Sequence, residues 1–353
     1  MAALLALLTL YITSTDRPEA TGVRMGTMAE TKAYLAKEYP EDVKLLFVYT
    51  GLYIKSVRFD DSNSVTLSGY IWQRYEGGIP KGVTPGVAFP EASNTYGLDE
   101  VYREKDVNGY AVVGWHFEIQ TRQGFDYSIY PLDRQSVWLR MWHADFDSNG
   151  ALLVPDLDGY PPWVDKDFNG VDKETVFDEW VPNYTFFAYH KIPYSSSFGY
   201  GKFVKSAGRP ELYFNMGFKR GIFGAFVGNL IPMIFVSLIM FASLFPGSVH
   251  PDRAEDTGFS TMGVMAFTVT MLLVVVVQHS SIRSAVGGSA LSYLDYLMFV
   301  LYAVILLVTL NAILVRSRKP LRWILWRDNL APKLLYWPVL LGLALLATQL
   351  SLG

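Results

Sequence analysis

The chain contains no cysteine among its 353 residues. Disulfide bridges and thiolate metal sites are therefore excluded, and cysteine usage says nothing about the redox compartment. A basic excess is also missing, because 30 Lys and Arg stand against 33 Asp and Glu, for a formal net charge of −3. No basic stripe is large enough to neutralise many phosphates, so a nucleic-acid partner is excluded.

Enzyme motifs are missing as well. No Gly-rich phosphate loop follows a strand and opens a helix, and neither metalloprotease His-Glu spacing nor a nucleophile-elbow serine is present. His143 and His190 stand alone in strand-like segments and are interpreted as structural residues. The sequence therefore predicts a protein that is not an enzyme and that requires no cofactor.

Long apolar runs fill the C-terminal part of the chain. Each has about the 20 residues that cross a membrane, and they cover residues 221–245, 257–278, 296–315 and 334–353. The stretch between the last two runs, "RSRKPLRWILWRDNLAPK", carries six Lys and Arg against one Asp. By the positive-inside rule this loop is cytoplasmic. We expect a multi-pass protein of the cell (inner) membrane whose large N-terminal region is extracellular or periplasmic.

The region before the apolar runs is predicted to be rich in strands. Residues 15–219 show one short helical pattern over 31–44 and then repeated apolar–polar alternation broken by turn residues. Many short strands of this kind predict an antiparallel β-sandwich, followed by a transmembrane domain over 220–353. Residues 1–14 form an apolar segment, interpreted either as a signal peptide or as a helix on the domain or membrane surface.

Several motifs occur in a fixed order along the chain. They are "YPLDRQ" (130–135), "LYFNMGFKR" ending in Arg220, Pro232 within the first run, and "SYLDYLMFVLYAVILL" at the third run. Over residues 42–353 the chain resembles the pentameric ligand-gated ion channels (the Cys-loop receptor superfamily) in their bacterial form. The resemblance implies an extracellular β-sandwich, a four-helix transmembrane domain and a homopentamer around a central pore. The paired cysteines of the animal receptors and a long cytoplasmic domain are absent.

The second apolar run is the predicted pore helix. Its small and hydroxylated residues suit either a water-filled lumen or close packing in a closed bundle. One stripe with a mostly apolar centre would line the pore: Glu255, Gly258, Met262, Met265, Val269, Leu272 and Val276. Glu255 and Asp256 would form an acidic ring that selects cations, although a helix cap or headgroup anchor is the alternative for both.

The resemblance also implies which residues would transmit a movement of the outer domain to the pore. Asp133 and Arg220 are expected to pair at the membrane interface, with a turn-capping role as the alternative for Asp133. The linker predicted at 279–292 would receive the movement. The predicted coupling residues are Pro131, Leu132, Asp133, Arg220, Pro232 and Arg283.

The predicted agonist-binding site is lined mainly by aromatic residues. Such side chains can hold a cationic amine by cation–π attraction, although a single aromatic residue is more often core or surface filler. In the pentameric ligand-gated ion channels, which the chain resembles, the residues that line the agonist site come from neighbouring subunits. The predicted ligand residues are Tyr70, Trp72, Phe89, Glu91, Tyr194, Phe198 and Tyr200.

Two acidic stretches follow a calcium-loop pattern. "DFDSNGALLVPD" starts at residue 145, and "DKDFNG" repeats its core at 165–170. The predicted Ca²⁺ ligands are Asp145, Asp147, Asn149, Asp156, Asp165, Asp167 and Asn169. The alternative is a solvated acidic loop with Asn-Gly turns.

Together these features predict a ligand-gated, cation-selective channel that is gated or modulated at its outer domain, with calcium as a candidate modulator. Its expected partners are further copies of itself, membrane lipids, inorganic ions and a small agonist. An anion-selective channel of the same family and a non-conducting, membrane-anchored sensor are the alternatives.

Overall fold

The structure is a computed structural model. It describes residues 22–39, 45–94, 97–145, 150–172, 175, 177, 179–196, 210–248, 260–287, 291–315, 317 and 326–352. The chain divides into two units, which are treated separately below. The described residues of the β-rich unit fall within Asp16–Phe125 and Arg134–Lys219, and those of the helical unit within Asp126–Asp133 and Arg220–Gly353.

The β-rich unit contains two five-stranded sheets. Their strands are β1 (Val23–Met25), β2 (Leu46–Phe59), β3 (Ser64–Glu76), β4 (Val87–Ala88), β5 (Leu98–Val107), β6 (Tyr110–Arg122), β7 (Arg134–His143), β8 (Ala151–Pro155), β9 (Trp180–Lys191) and β10 (Pro210–Arg220). The first sheet has the order β1-β9-β10-β7-β4, and the second has the order β5-β6-β3-β2-β8. This arrangement agrees with the strand-rich fold predicted for the N-terminal region.

The two sheets share one hydrophobic core. Along β3 the buried and half-buried residues alternate, so that Val65, Leu67 and Ile71 are fully enclosed while Tyr70 and Trp72 face away. Burial of each such aliphatic side chain stabilises the fold by about 1.5–3 kcal/mol. The pairing is not purely antiparallel, because β8 runs parallel to β2 with Leu46 opposite Ala151. The connection from β7 to β8 moves the chain from one sheet to the other, where it joins β2 in the same direction.

One α-helix precedes the main strands, and it begins earlier than the sequence predicts. Helix α1 spans Met28–Glu38, rather than 31–44. The Thr27 hydroxyl accepts a hydrogen bond from the Glu30 amide at 3.2 Å, and the Glu30 carboxylate accepts one from the Gly26 amide at 2.9 Å. This reciprocal capping fixes the start. The helix ends before Tyr39, whose backbone is extended, as is usual for a residue that precedes proline.

The helical unit contains α2 (Ile222–Ala225), α3 (Ile231–Ala242), α4 (Thr261–Val286), α5 (Tyr293–Val315) and α6 (Leu330–Leu352). In the described part of the chain, three helices are long and apolar enough to cross a membrane, namely α4, α5 and α6. The protein is therefore a membrane protein with a large β-rich domain.

The prediction of four uninterrupted spans needs correction. The first run, 221–245, contains α2, a π-helical segment at Phe226–Leu230 and the shorter apolar helix α3. Pro232 lies in the first turn of α3 and has no amide hydrogen to donate to the preceding turn. A π-helical turn is a common way to accommodate such a local break in the hydrogen-bond ladder.

Helix α4 extends eight residues beyond the predicted end of its run. It continues through His279 and Arg283 to Val286, and Gly287 then adopts a left-handed conformation (φ 60°) and donates to the Arg283 carbonyl at 2.9 Å. Glycine takes this conformation without strain, which makes it a common helix terminator. The predicted linker at 279–292 is therefore helical over its first eight residues.

Candidate functional site

A buried ion pair joins the two residues predicted to couple the outer domain to the helices. The Arg220 guanidinium donates from Nε to Asp133 Oδ1 at 2.7 Å and from a terminal nitrogen to Oδ2 at 3.0 Å. The Arg220 amide also donates to the Asp133 carbonyl at 3.2 Å. Asp133 is fully buried and Arg220 is 8% exposed. The structure thus brings these two residues together in bidentate geometry.

The segment Asp126–Asp133 packs against the helices of its unit. The Ser128 carbonyl accepts from the Tyr293 amide at 2.8 Å and from the Ser351 hydroxyl at 3.4 Å. Tyr130 is buried in the apolar cluster of the helices, and its ring lies 4.8 Å from the Arg220 guanidinium carbon. The Tyr130 ring stabilises the positive charge of Arg220 by cation–π attraction, in addition to the ion pair with Asp133.

The remaining residues of the "YPLDRQ" motif complete this segment. The Tyr130–Pro131 peptide bond is cis and Pro131 is buried. Leu132 is half-buried, and its amide donates to the Ile129 carbonyl at 2.8 Å. Leu132 therefore keeps one partly open side, whereas Pro131 and Asp133 are enclosed.

Helix α4 presents the predicted pore stripe on an open face. Its buried residues are Thr268, Val275, Ile282 and Val286. The stripe residues have exposures of 76% for Met262, 36% for Met265, 64% for Val269, 39% for Leu272 and 45% for Val276. Only 11% of the most apolar window of α4 is buried, against 44% for α5. Helix α5 is thus the most buried of the three long helices, and most of the surface of α4, like that of α6, is left without a partner in one chain.

The hydroxyls of α4 do not require a water-filled lumen. Thr268 donates to the Met265 carbonyl and Thr270 to the Ala266 carbonyl, each at 3.0 Å. Such back-bonding satisfies a hydroxyl within its own helix. The exposed stripe is therefore the stronger sign of an additional surface. Glu255 and Gly258, with Asp256, lie outside the described residues.

The segment just before Pro232 contacts α4 through a hydrogen bond. The π-helical segment before Pro232 leaves the Asn229 carbonyl within 2.9 Å of the Gln278 side-chain nitrogen, which donates to it. Sequence reasoning missed Gln278. A polar side chain within a predicted span is the signal that could have identified it.

A second polar cluster surrounds Arg140 in the β-rich unit. Arg140 forms ion pairs with Glu91 and, at 3.4 Å, with Glu211. It also donates to the Tyr194 hydroxyl at 3.0 Å, and Tyr194 hydrogen-bonds to Glu211. Its guanidinium carbon lies 5.2 Å from the Trp142 ring centre. Two of the predicted ligand residues, Glu91 and Tyr194, therefore meet around a cation that the protein itself supplies.

Burial sets the electrostatics of this cluster. It raises the pKa of the Glu91 carboxyl, and the neighbouring Arg140 opposes that rise. Sequence reasoning missed Arg140 although its signal was present. The stretch "WLRMW" places Trp138, Arg140 and Trp142 on one face of β7 by simple alternation.

Replacement of Arg140 by alanine is expected to destabilise the β-rich unit by about 2–3 kcal/mol at neutral pH. The Glu91 carboxylate would then be left largely buried without its cation. Burial raises the pKa of Glu91 and Arg140 opposes that rise, so the difference from wild type should shrink as the pH falls and Glu91 is protonated. Thermal unfolding measured across pH checks the prediction. Arg103→Ala, which removes an exposed ion pair, is the matched control, and equal deficits at all pH values would contradict the assignment.

The structure disperses the other predicted ligand residues. Phe89 is 3% exposed, packs 5.3 Å from Phe117 and belongs to the core rather than to an open wall. Tyr70 packs against His116 and lies near Lys55 on the outer face of β3. Phe198 and Tyr200 lie outside the described residues.

Trp72 lines a separate cavity of about 550 Å³. Its indole nitrogen donates to Asp156 Oδ2 at 2.8 Å, and Arg74 donates to Asp156 Oδ1 at 2.8 Å. Tyr102 and Asp158 also line this cavity. An aromatic wall with fixed charges is typical of a small-molecule site. Trp72 lies on β3 of one sheet and Tyr194 follows β9 of the other, and they line separate groups of residues, so a single chain does not place them in one wall.

The predicted calcium ligands make other contacts where they are described. Asp156 is 2% exposed and is neutralised by Arg74, while Asp167 pairs with Arg24. Asp145 accepts from the Thr84 amide at 2.6 Å. Asp165 accepts from the Asp167 amide at 3.1 Å.

Two further members of the calcium pattern, Asp147 and Asn149, lie outside the described residues, and the Asn169 carbonyl accepts from Thr185. Within the described ranges, no group of three His, Asp or Glu side chains is arranged to hold a metal ion. Calcium binding stays a prediction of the sequence.

No protein-family model matches the chain, and no curated protein matches it in sequence.

Proposed function

We propose that the protein is a homopentameric, ligand-gated, cation-selective channel. The observation that carries this proposal is the open face of α4. A membrane-crossing helix with five exposed stripe residues and a narrow buried stripe has a wide face that, beyond its own chain, contacts either lipid or further copies. Five copies that place this stripe toward a common axis would enclose an apolar pore, which can close by dewetting.

The ion pair between Asp133 and Arg220 supports control from outside the membrane. Arg220 lies at the end of β10 and two residues before α2. Asp133 lies directly before β7, which pairs with β10. A change in these paired strands would act on two joined side chains that lie among the helices of their unit. In the proposal, this pair transmits the ligand signal.

Two places in the β-rich unit support ligand binding. The cavity at Trp72 offers aromatic walls beside Arg74 and Asp158, and the cluster at Arg140 holds two carboxylates around one guanidinium. A cationic agonist can bind aromatic faces at the first site or compete with Arg140 at the second. The exposed carboxylate of Asp158 favours a positively charged ligand.

Reconstitution into liposomes tests the function. The purified protein should have the mass of five chains, and its current under a salt gradient should reverse near the potassium or sodium potential. The predicted acidic ring at Glu255 is the basis for this selectivity. Reversal near the chloride potential would favour the anion channel, and a pentamer that conducts no ions under any agonist tried would favour the membrane-anchored sensor.

A further inference from the structure

The methionines of the chain differ sharply in exposure. The chain has 11 methionines, and all except Met1 lie in the described ranges. Among these, Met262 is 76% exposed and Met265 is 36% exposed, and both belong to the open stripe of α4. The other described methionines are buried or half-buried, and Met240 and Met298 of the same unit are fully enclosed. Because the chain has no cysteine, the two stripe thioethers are the most accessible sulfur atoms of the described residues.

Both exposed methionines lie near one end of their helix. Helix α4 begins at Thr261, and the side chain of Ser260 caps its first turn. Met262 lies in the first turn and Met265 in the second, about 6 Å along the axis from the start at roughly 1.5 Å per residue. Water that reaches this end of α4 therefore meets the two thioethers before the apolar stripe residues from Val269 onward.

The start of α4 lies on the same side of the membrane as the basic loop. Helix α5 follows α4 closely, so α4 begins on the side on which α5 ends and the basic loop follows. A direct contact agrees with this order, because the hydroxyl of Ser248, after α3, lies 2.9 Å from both carboxylate oxygens of Asp328, before α6. The positive-inside rule makes this side cytoplasmic. The two thioethers would therefore meet oxidants that dissolve in the cytoplasm.

Hydrogen peroxide oxidises an accessible thioether by a two-electron step. A sulfur lone pair attacks one peroxide oxygen, the S–O bond forms and the O–O bond breaks. The leaving hydroxide takes the proton of the transferred oxygen and becomes water, so methionine is oxidised to its sulfoxide while peroxide is reduced. The sulfoxide oxygen is a strong hydrogen-bond acceptor on a side chain that was apolar. Methionine sulfoxide reductases reverse the change, so such a site can be switched in both directions.

We propose that Met262 and Met265 form a site of reversible oxidation by peroxide and that their sulfoxides hydrate the inner end of the pore. The oxidation site follows from exposure and position, whereas its effect on current rests on the proposed channel function. At 100° per residue, Met265 lies about 60° and Val269 about 20° around the axis from Met262. Sulfoxide oxygens on this face hold water beside the apolar constriction at Val269. Wetting of the constriction then costs less, and the resting current rises.

Mass spectrometry of the full-length protein in liposomes, after dilute hydrogen peroxide, tests the oxidation site. The sulfoxides of Met262 and Met265 should form at least about tenfold faster than those of Met240 and Met298, which serve as buried controls in the same chain. Leu307→Met is the second control, because it places a thioether at a 50% exposed position in the middle of α5, away from either end of the helix. It should oxidise as slowly as the buried methionines. Equal rates at all methionines, or rapid oxidation at position 307, would overturn the site.

Currents in the same liposomes test the effect on the pore. Peroxide should raise the resting wild-type current by at least about threefold, and methionine sulfoxide reductases should restore it. The double variant Met262→Leu, Met265→Leu keeps apolar side chains of similar volume and should lose most of this response. An equal response in the double variant, or no response in oxidised wild type, would overturn the regulation. Mass spectrometry needs no conduction, so selective oxidation in a non-conducting protein would support the site and contradict the channel.

Discussion

Asp133→Ala is expected to destabilise the protein by about 3–5 kcal/mol, because it leaves the Arg220 guanidinium buried without its carboxylate. The effect should appear as a lower thermal midpoint and a lower yield of assembled protein. Arg220→Lys keeps the charge but loses the bidentate geometry, so its loss should be smaller than that of Asp133→Ala. The pair is fully enclosed and also touches Tyr130, so bulk water cannot replace the missing partner.

The control for this prediction is an ion pair of the same chemistry at the surface. Glu100 and Arg103 lie on β5 with side chains 41% and 42% exposed. Glu100→Ala should change the stability by no more than about 0.5 kcal/mol. A double-mutant cycle of Asp133 and Arg220 then measures their coupling. Equal effects of Asp133→Ala and Glu100→Ala would show that the buried pair has no special role.

Val269→Cys should make the channel current sensitive to a charged thiol reagent, with a loss on the order of tenfold. Val269 lies in the middle of the exposed stripe of α4 and is 64% exposed in one chain. A charged adduct there would narrow the proposed apolar constriction from each of five copies. The wild-type chain has no cysteine, so the reagent has no other thiol to modify.

Val274→Cys provides a matched comparison on the same helix. It is also an exposed valine, at 43%, but lies about 140° around the helix axis from Val269 at 100° per residue. The same reagent should leave its current nearly unchanged. Equal block at both positions, or block at Val274 alone, would place a different face of α4 toward the pore.

The residue patterns predicted the large-scale organisation well. Alternation of apolar residues predicted the two-sheet unit, since a strand that buries one face must show a period of two. Apolar length predicted three of the four proposed spans, with boundaries within about eight residues. The "YPLDRQ" motif and Arg220 predicted an ion pair whose partners are 87 positions apart in the chain.

Other features depend on contacts that local patterns do not report. The break in the first run follows from a π-helical turn, which apolar length cannot reveal. The end of α4 is set by Gly287, beyond its apolar stretch, so hydropathy placed it too early. Phe89 resembles a wall residue in sequence, but its burial depends on Phe117 of another strand. The sequence does not predict the contact between His279 and Asp295, because this contact depends on how α4 packs on α5.

The segment Asp126–Asp133 also has a consequence for the order of synthesis. It is made before any of the helices that it contacts, because Arg220, Tyr293 and Ser351 all follow it in the chain. Domains generally fold as the ribosome releases them, N-terminal parts first. The Asp133 carboxylate is therefore without its partner until Arg220 has been made, and the Ser128 carbonyl lacks its contact with Ser351 until the last helix is complete. The segment that carries the proposed ligand signal is thus completed in stages, first by β10 and last by α6.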